Sequence, residues 1–557
     1  MQQPARVNRA GERFRHWVLD TPLLWSLAAL CGFGWYAQFI PHPSWNAIEL
    51  IIAQNLLEHG RFATSLDYPS AITWRPVLPT LVVTLLRLLT DDPLTIYRIF
   101  CAAAVCSLTT SLFLIARRLF GRIAGHVAAA LALTCPAATT YLVQHAHSYS
   151  HWGAMLILGP ALLSSARLII DESSPKPRDY GVSGLLWGLA YLSRSEMLLF
   201  AGLAFLALVA SDWRRRRVTP RSLAAWLLPF VALFGTYNIL ASVAAARDDI
   251  LIRKTIYTFY ISQGWVDPAP WTGPDIEADG YRYAIELYGE PTDNDESLLR
   301  AIRRNPEAFA RRVQRNAVNF YQAYRQPWFF ATGWMLAALA MVLILLTGRI
   351  EAHKAIFLWL LVGLFGASHC FLIFHIDHRY LTITVPSLLL LAASFAGWLV
   401  AQAARRGPVA GRSALLLVGV AVLATMWPQL ERLRAHPPRD DRAVTAMRAL
   451  GEHFREHGGR PKFPGNRQPH IDFHFPEQHP LRPEDRFLVA YFTHTSWVNG
   501  LAEGPFPRGR FYSYRDRPHD YLYLPAARID QFPGARRRII ARHDNPILGE
   551  YYLVSGR

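Results

Sequence analysis

The sequence predicts an α-helical polytopic membrane protein with about eleven membrane-spanning helices and a small α/β domain at its C-terminal end. Two observations carry this prediction: 52% of the 557 residues are hydrophobic, and only 18% are charged. Soluble proteins typically carry about 25% charged residues. A third observation is that the charges fall in blocks separated by long apolar runs, as in chains that cross a bilayer repeatedly.

The net charge of +17 fits either nucleic acid or membrane lipid as a partner. The basic clusters lie between hydrophobic segments, which favours arginines at the cytoplasmic ends of helices and argues against nucleic acid. The five cysteines all lie inside apolar runs, so neither a disulfide framework nor a cysteine-based metal site is predicted. They are Cys31, Cys101, Cys106, Cys135 and Cys370.

A membrane span needs about 20 apolar residues. The predicted spans are 22–40, 97–116, 122–141, 150–170, 182–195, 197–211, 222–244, 328–347, 355–374, 380–402 and 413–428. The two spans that meet near residue 195 are short and need shielding by neighbouring helices. The segment 77–89 is too short to cross comfortably, so it is predicted to lie at the outer interface.

Lysine and arginine are concentrated in alternate loops, which predicts a cytoplasmic N-terminus. An odd number of spans then places the C-terminus outside. The predicted organisation is a transmembrane domain at 1–428, with outer loops at 41–96 and 245–327, and a soluble domain at 429–557.

The first candidate site residues follow the first span. Glu49 is the acid nearest the membrane on a predicted amphipathic helix that ends at Gly60. Asp67 and Arg75 come next, before the interfacial segment. Charged groups at membrane depth cost about 2.5–3.5 kcal/mol each, so function is a reasonable hypothesis where they persist. The structural alternative for Glu49 is a solvated helix residue.

A second cluster contains His147 and His151, in the loop between the third and fourth spans. Their spacing places them on one helical face, where they could bind a metal. Neutral histidines also form hydrogen bonds with sugars and phosphates. No acid or cysteine lies close to them in sequence.

Two further clusters lie at outer helix ends. Arg194 and Glu196 are in the turn between the two short spans, where they either pair with each other or contact a ligand. The segment after the ninth span contains Asp377, Arg379 and Tyr380. Arg379 could bind a phosphate through two parallel hydrogen bonds, or Arg379 and Tyr380 could anchor the interface. Arg253 and Lys254, just outside the seventh span, could join Arg379 around one anion.

The C-terminal region has an α/β pattern. A helix is predicted at 442–457, and strand-like runs follow at 486–492, 510–514, 520–524, 537–542 and 551–554. His470, Asp472 and His474 alternate along another strand-like run, so they could share one face and hold a metal. The structural alternative is a solvated strand edge.

The order of these motifs resembles the GT-C superfamily of membrane glycosyltransferases, in particular the branch of protein O-mannosyltransferases and lipid A aminoarabinose transferase. The resemblance covers about residues 20–430. Its carriers are AQNLLEHG at 53–60, RPVLP at 75–79, RRLFG at 117–121, GLAYLSRSE at 188–196 and DHRYL at 377–381 with Pro386.

The resemblance implies transfer of a sugar from a polyprenyl-phosphate donor to a glycan, lipid or protein acceptor, on the periplasmic face of the bacterial inner membrane. Glu49 and Asp67 would be the catalytic acids. No cofactor is expected, with a divalent metal as the alternative. The donor phosphate would be bound by Arg75, Arg253, Lys254, Arg379 and Tyr380, and the sugar or acceptor by His147, His151, Arg194, Glu196 and Asp377.

Two positions depart from the family pattern. The family places an acid eight residues before the alanine that matches Ala53, where this chain has Trp45. Glu49 lies one helical turn further on, about 6 Å away on the same face. His151 stands near the position of a second family acid. The alternatives to a transferase are therefore a transporter or flippase of lipids, and a non-catalytic envelope protein that binds a lipid-linked sugar.

Overall fold

The computed structural model of the chain is mostly helical. It describes residues 22–36, 47–62, 77–134, 149–171, 175–245, 256, 258–260, 262–266, 276–325, 332–373, 384–435, 442–457, 471–473, 491–492, 521–532, 534–545 and 547–555.

The first eight helices form the N-terminal part of the bundle. They are α1 (Leu23–Tyr36), α2 (Ala47–His59), α3 (Val77–Arg87), α4 (Pro93–Thr134), α5 (Tyr149–Ile170), α6 (Pro177–Ser193), α7 (Met197–Arg214) and α8 (Pro220–Ala245). Helix α4 contains a kink, because Phe120 and Gly121 leave helical geometry and Gly121 adopts φ +83°. Its two arms correspond to the predicted spans 97–116 and 122–141.

Nine further helices are described after α8. They are α9 (Gln263–Val266), α10 (Ile276–Tyr288), α11 (Leu298–Arg304), α12 (Pro306–Arg325), α13 (Thr332–Leu346), α14 (Ala352–Ser368), α15 (Val385–Arg406), α16 (Pro408–Ala435) and α17 (Arg442–His457). Within the residues that the structure describes, each of the eleven predicted spans overlaps one of these helices or an arm of α4. Within the described ranges, six helices are long and apolar enough to cross a membrane: α4, α5, α7, α8, α15 and α16.

The long helices divide into central and peripheral ones. Most of the apolar stretch of α4, α5 and α15 is buried inside the protein. Helix α4 packs against both α5 and α15. Helices α8 and α16 bury only about a tenth of their apolar stretches. They expose large aliphatic side chains such as Leu228 and Leu416. Exposed leucines on helices of this length are typical of surfaces that face lipid.

Glycines allow the two helices α6 and α8 to approach closely. Gly184 and Gly188 lie one turn apart on α6, in the small-xxx-small pattern of membrane helix contacts. A Cβ atom at Gly184 would overlap the carbonyl oxygen of Trp226, and one at Gly188 would lie 2.9 Å from Cδ1 of Leu233. Helix α8 is therefore the neighbour that shields the short helix α6.

Helix α3 has the form expected of an interfacial helix. It has 11 residues, and its buried positions, including Pro79 and Val83, lie on one face. Leu85, in its last turn, and Leu88, just after it, are about two-thirds exposed. Helix α3 packs against α2 and contacts α5 and α6 at one end of the bundle.

The loop predicted at 245–327 contains its own small core. Ile256, Phe259, Tyr260, Tyr281 and Tyr288 are its largest buried members. The guanidinium of Arg312 on α12 is buried here, donates to Gln263 Oε1 at 2.6 Å and lies 3.9 Å from the Phe259 ring. Helix α12 also reaches the bundle, because Phe320 stacks on His369 at 4.7 Å.

A four-stranded sheet follows α17. Its strands are β1 (Ile471–Phe473), β2 (Tyr521–Pro525), β3 (Ile539–Asn545) and β4 (Gly549–Ser555), in the order β1-β2-β4-β3. Strands β1 and β2 are parallel, and the other two pairs are antiparallel. The predicted helix at 442–457 and the strands near 520–524, 537–542 and 551–554 are confirmed. The run 486–492 is not a strand at its end, because Tyr491 and Phe492 are helical.

We expect the substitution Gly184→Ala to lower the thermal stability of the protein. The new methyl group would push α6 and α8 apart, at a cost of about 1–3 kcal/mol or more. Gly202→Ala on α7 is the matched control, since a Cβ there meets no atom within 4 Å and alanine favours a helix. Melting temperatures of both variants in detergent, followed by tryptophan fluorescence, test this expectation. Equal melting temperatures would contradict it.

Candidate functional site

Four predicted site residues lie among the described residues, and all four are at the same end of the bundle. They are Glu49, His151, Arg194 and Glu196. The others lie outside the described residues, so their roles stay predictions: Asp67, Arg75, His147, Arg253, Lys254, Asp377, Arg379 and Tyr380.

A glycine brings the elements of the site together. A Cβ atom at Gly153, in the first turns of α5, would lie 2.7 Å from Cγ of Pro79 and 3.5 Å from Oγ of Ser193. The start of α3, the start of α5 and the end of α6 therefore meet at this point. Arg194 and Glu196 follow Ser193 directly, in the turn before α7.

Glu49 lies in the first turn of α2 and is only 1% exposed. The predicted amphipathic pattern is wrong for the N-terminal half of α2, because the residues at 48–55 are buried on every side. The solvated alternative for Glu49 is excluded for the same reason. An acid in a first helical turn is favoured by the partial positive charge of the helix N-terminus. Its charge acts on Tyr149, the first residue of α5.

Arg194 connects the two other described site residues. Its guanidinium donates two parallel hydrogen bonds to Glu196, from Nη2 to Oε1 at 2.6 Å and from Nε to Oε2 at 3.3 Å. Its Nη1 also donates to Nε2 of His151. Arg194 and His151 are both buried, whereas Glu196 keeps about a quarter of its side chain exposed. Of the two predicted roles of Arg194 and Glu196, pairing with each other is confirmed.

The contact with Arg194 determines the protonation of His151. A guanidinium has only donors, so Nε2 of His151 must accept, and the imidazole is neutral with its proton on Nδ1. The Nε2 lone pair is occupied and cannot coordinate a metal. His151 is therefore a buried neutral imidazole in the first turn of α5, with its proton on Nδ1.

Aromatic side chains hold the N-terminal end of α5 in place. Trp152 Nε1 donates to Tyr97 Oη at 3.1 Å. Tyr149 contacts Tyr97 and Phe100 edge to face, with ring centroids 5.6 and 5.3 Å apart. These contacts join α5 to the first turns of α4, so the residues that flank His151 are fixed by packing.

The C-terminal region contributes a residue that the sequence did not single out. Tyr491 is buried, and its hydroxyl donates to the carbonyl oxygen of Asp91 at 2.8 Å. The Arg87 guanidinium lies 5.2 Å from the centre of its ring. Tyr491 also acts electrostatically on Tyr149, as Glu49 does. No local sequence signal marks this tyrosine, because its partners are about 400 residues away in the chain.

Asp92 anchors a second contact of the C-terminal region. It caps α4, because the backbone N–H of Thr95 donates to its Oδ2 at 2.9 Å, and it pairs with Arg448 of α17 at 2.8 Å. Partial burial opposes ionisation of Asp92, but the Thr95 hydrogen bonds and the Arg448 charge outweigh it and lower the pKa. The contact is therefore ionic over the whole physiological pH range.

A family of known proteins matches part of the chain. Residues 74–240 match the family described as dolichyl-phosphate-mannose-protein mannosyltransferase. This stretch runs from the start of α3 into α8 and includes His151, Arg194 and Glu196. Comparison with curated proteins gives no significant match.

Two solved structures are similar to this chain. The archaeal oligosaccharyltransferase AglB from Archaeoglobus fulgidus, in complex with an inhibitory peptide and a dolichol-phosphate, is 11% identical with a TM-score of 0.51. The match covers 86% of this chain and 64% of AglB, so this chain spans less than two-thirds of AglB's length. ArnT from Cupriavidus metallidurans, bound to undecaprenyl phosphate, is 12% identical with a TM-score of 0.44, over 96% of this chain and 98% of ArnT.

The resemblance to the GT-C superfamily that the motifs predict is thus confirmed at the level of the fold. The chain shares the fold of the archaeal oligosaccharyltransferase AglB, and its residues 74–240 match the mannosyltransferase family.

Proposed function

We propose that this protein transfers a sugar from a polyprenyl-phosphate donor to a hydroxyl-bearing acceptor at the periplasmic face of the bacterial inner membrane. The observation that carries the proposal is the mannosyltransferase family match over 74–240. This stretch contains the contacts that join His151, Arg194 and Glu196. The AglB structure, whose fold the chain shares, holds a dolichol-phosphate, which supports a lipid phosphate as the leaving group.

The proposed reaction forms a bond between the acceptor oxygen and the anomeric carbon of the sugar. The bond between that carbon and the phosphate oxygen breaks, and polyprenyl phosphate leaves with the bonding electrons. Glu49 takes the proton of the acceptor hydroxyl, in the role of general base. Its place in the first turn of α2, at the same end of the bundle as His151 and Arg194, supports this role.

The leaving phosphate needs cations, and the sequence supplies them in two segments. Arg253 and Lys254 precede Ile256, and Arg379 and Tyr380 follow Ile373. Ile256 and Ile373 pack in the same small core of the outer loop. This supports the proposal that the two segments bind one phosphate, with Arg75 as a further contact. Cations placed where negative charge develops stabilise the transition state.

The sugar or acceptor is proposed to contact the His151 side of the site. His151 offers an N–H donor, and Arg194 holds its ring in that tautomer. Glu196 neutralises the arginine and keeps an exposed carboxylate edge that can accept a hydrogen bond from a hydroxyl. His147 and Asp377 are proposed to complete this side, and Asp67 is proposed as the second catalytic acid beside Glu49. No step of the proposed reaction calls for a cofactor.

We expect Glu49→Gln to reduce sugar transfer by about 10²–10⁴-fold, the usual contribution of a general base, while the folded protein is retained. Glu58→Gln, at the exposed end of the same helix α2, is the control and should keep full activity. Release of undecaprenyl phosphate from labelled undecaprenyl-phosphate mannose or aminoarabinose in proteoliposomes, with an envelope extract as acceptor, gives the rate. Full activity of Glu49→Gln would remove Glu49 from the mechanism. Donor transport or donor binding without release by the native protein would replace the transferase proposal.

A pair of arginine substitutions separates the two sides of the site. Arg379→Ala should raise the KM for the donor about tenfold or more, because a charge-assisted phosphate contact is lost. Arg194→Ala should raise the KM for the acceptor instead, because His151 loses the donor that sets its tautomer. Arg178→Ala, an exposed arginine at the start of α6, is the control. Identical effects of Arg194→Ala and Arg379→Ala on the donor KM would refute the division.

The orientation has its own test. In a cysteine-free background, we expect a membrane-impermeant maleimide to label Ser65→Cys, in the predicted outer loop, in intact spheroplasts. Arg178→Cys, in a predicted cytoplasmic loop, should react only after the membrane is opened. The reverse labelling pattern would place the site in the cytoplasm and overturn the periplasmic assignment.

A further inference from the structure

Three histidines meet in the C-terminal region, where α17 packs against β3. His453 and His457 lie one turn apart on α17, with ring centroids 4.4 Å apart. His543 on β3 lies 4.6 Å from His453. His453 is buried and His543 is half-buried, while His457 is exposed and gives solvent access to the cluster.

Hydrogen bonds determine the neutral form of His453. Its Nε2 lies 3.1 Å from the carbonyl oxygen of Arg542, so this nitrogen carries the proton and donates. Its Nδ1 accepts from the hydroxyl of Tyr523 on β2, at 2.9 Å. That hydroxyl is also 3.1 Å from the carbonyl oxygen of Leu450. If Nδ1 gains a proton, Tyr523 can turn its hydroxyl to Leu450 and accept from Nδ1, so these hydrogen bonds survive.

The cost of acidification therefore comes from burial and from the neighbouring rings. Burial, His543 and His457 together lower the pKa of His453 to about 4. Burial also lowers the pKa of His543, against the opposing charge of Asp544. Two protonated rings here would place like charges less than 5 Å apart. The charged and titratable groups around the cluster are Glu456 and His457 of α17, Arg542, His543 and Asp544 of β3, Tyr523 of β2, and Glu550 of β4, which pairs with Arg542.

We propose that the cluster of His453, His457 and His543 is a pH-sensitive contact that holds the sheet against α17 when its rings are neutral and loosens it on acidification. Because the pKa values of His453 and His543 lie below those of a free histidine, the opened state binds more protons. The contact is strong above about pH 6.5. It weakens as the pH falls towards 4, by up to about tenfold per pH unit for each extra proton bound.

The opposite face of α17 does not share this sensitivity. Arg448 pairs with Asp92, whose lowered pKa keeps that ion pair charged over the same range. Gly451 packs against Phe492 so closely that a Cβ atom would lie 2.5 Å from Cβ of Phe492. Acid therefore releases the sheet from α17 while α17 stays on the bundle. The cluster lies outside the proposed site, so this inference stands whether or not the chain transfers a sugar.

Hydrogen exchange of the full-length protein in nanodiscs tests the proposal. Exchange is measured by mass spectrometry at pH 7.5 and 5.5 and corrected for the intrinsic pH dependence of the rates. We expect protection of 539–545 to fall about tenfold or more at pH 5.5, with no change over 93–134. Equal protection at both pH values would overturn the proposal.

Two variants keep the experiment specific. His457→Gln combined with His543→Gln leaves His453 and its hydrogen bonds in place. The logarithm of the fold-loss of protection between pH 7.5 and 5.5 should then be less than half of the native value. His353→Gln, on α14 in the bundle, should retain the whole effect. A double variant as steep in pH as the native protein would refute the role of the neighbouring rings. A change in protection at pH 7.5 on adding a chelator would identify a metal site instead, and would equally overturn the proposal.

Discussion

The arrangement at the end of the bundle that holds His151, Arg194 and Glu196 depends on the hydrogen bonds of one buried guanidinium. A guanidinium has only hydrogen-bond donors, so burying that of Arg194 requires acceptors around it. Glu196 supplies two parallel hydrogen bonds and His151 supplies a lone pair. This requirement fixes the turn between α6 and α7, the tautomer of His151 and the position of the α5 N-terminus. Each of these is a condition for binding a ligand at that end.

Close helix packing makes this electrostatic arrangement possible. Gly153 lets α5 approach α3 and the end of α6, and Gly184 lets α6 approach the α8 backbone. Aromatic contacts of Tyr149 and Trp152 then hold α5 against α4. Packing at native density leaves little freedom to the polar residues between these helices. His151 and the two ends of the turn that carries Arg194 and Glu196 are therefore held by packed helices.

The C-terminal region is joined to the bundle on the side where the site lies. Its contacts are of three kinds: an ion pair from Arg448 to Asp92, a hydrogen bond from Tyr491 to Asp91, and the Arg87 guanidinium over the Tyr491 ring. Tyr491 belongs to the same continuous hydrophobic core as the bundle helices. Helix α17 thus connects two parts of the protein, with the bundle on one face and the histidine cluster on the other.

The positions of the helices could be predicted from the sequence, because hydropathy and the spacing of arginines are local properties that the bilayer imposes on each segment separately. The helix at 442–457 and three of the strands were predictable for a similar reason, from local periodicity. The family resemblance followed from short motifs at helix ends. Only the tertiary structure decided that Glu49 is buried, that Arg194 occupies Nε2 of His151, and that Tyr491 contacts Asp91. These facts depend on contacts between residues 43 and 400 positions apart, and no local pattern records which distant side chain fills a given space or accepts a given proton.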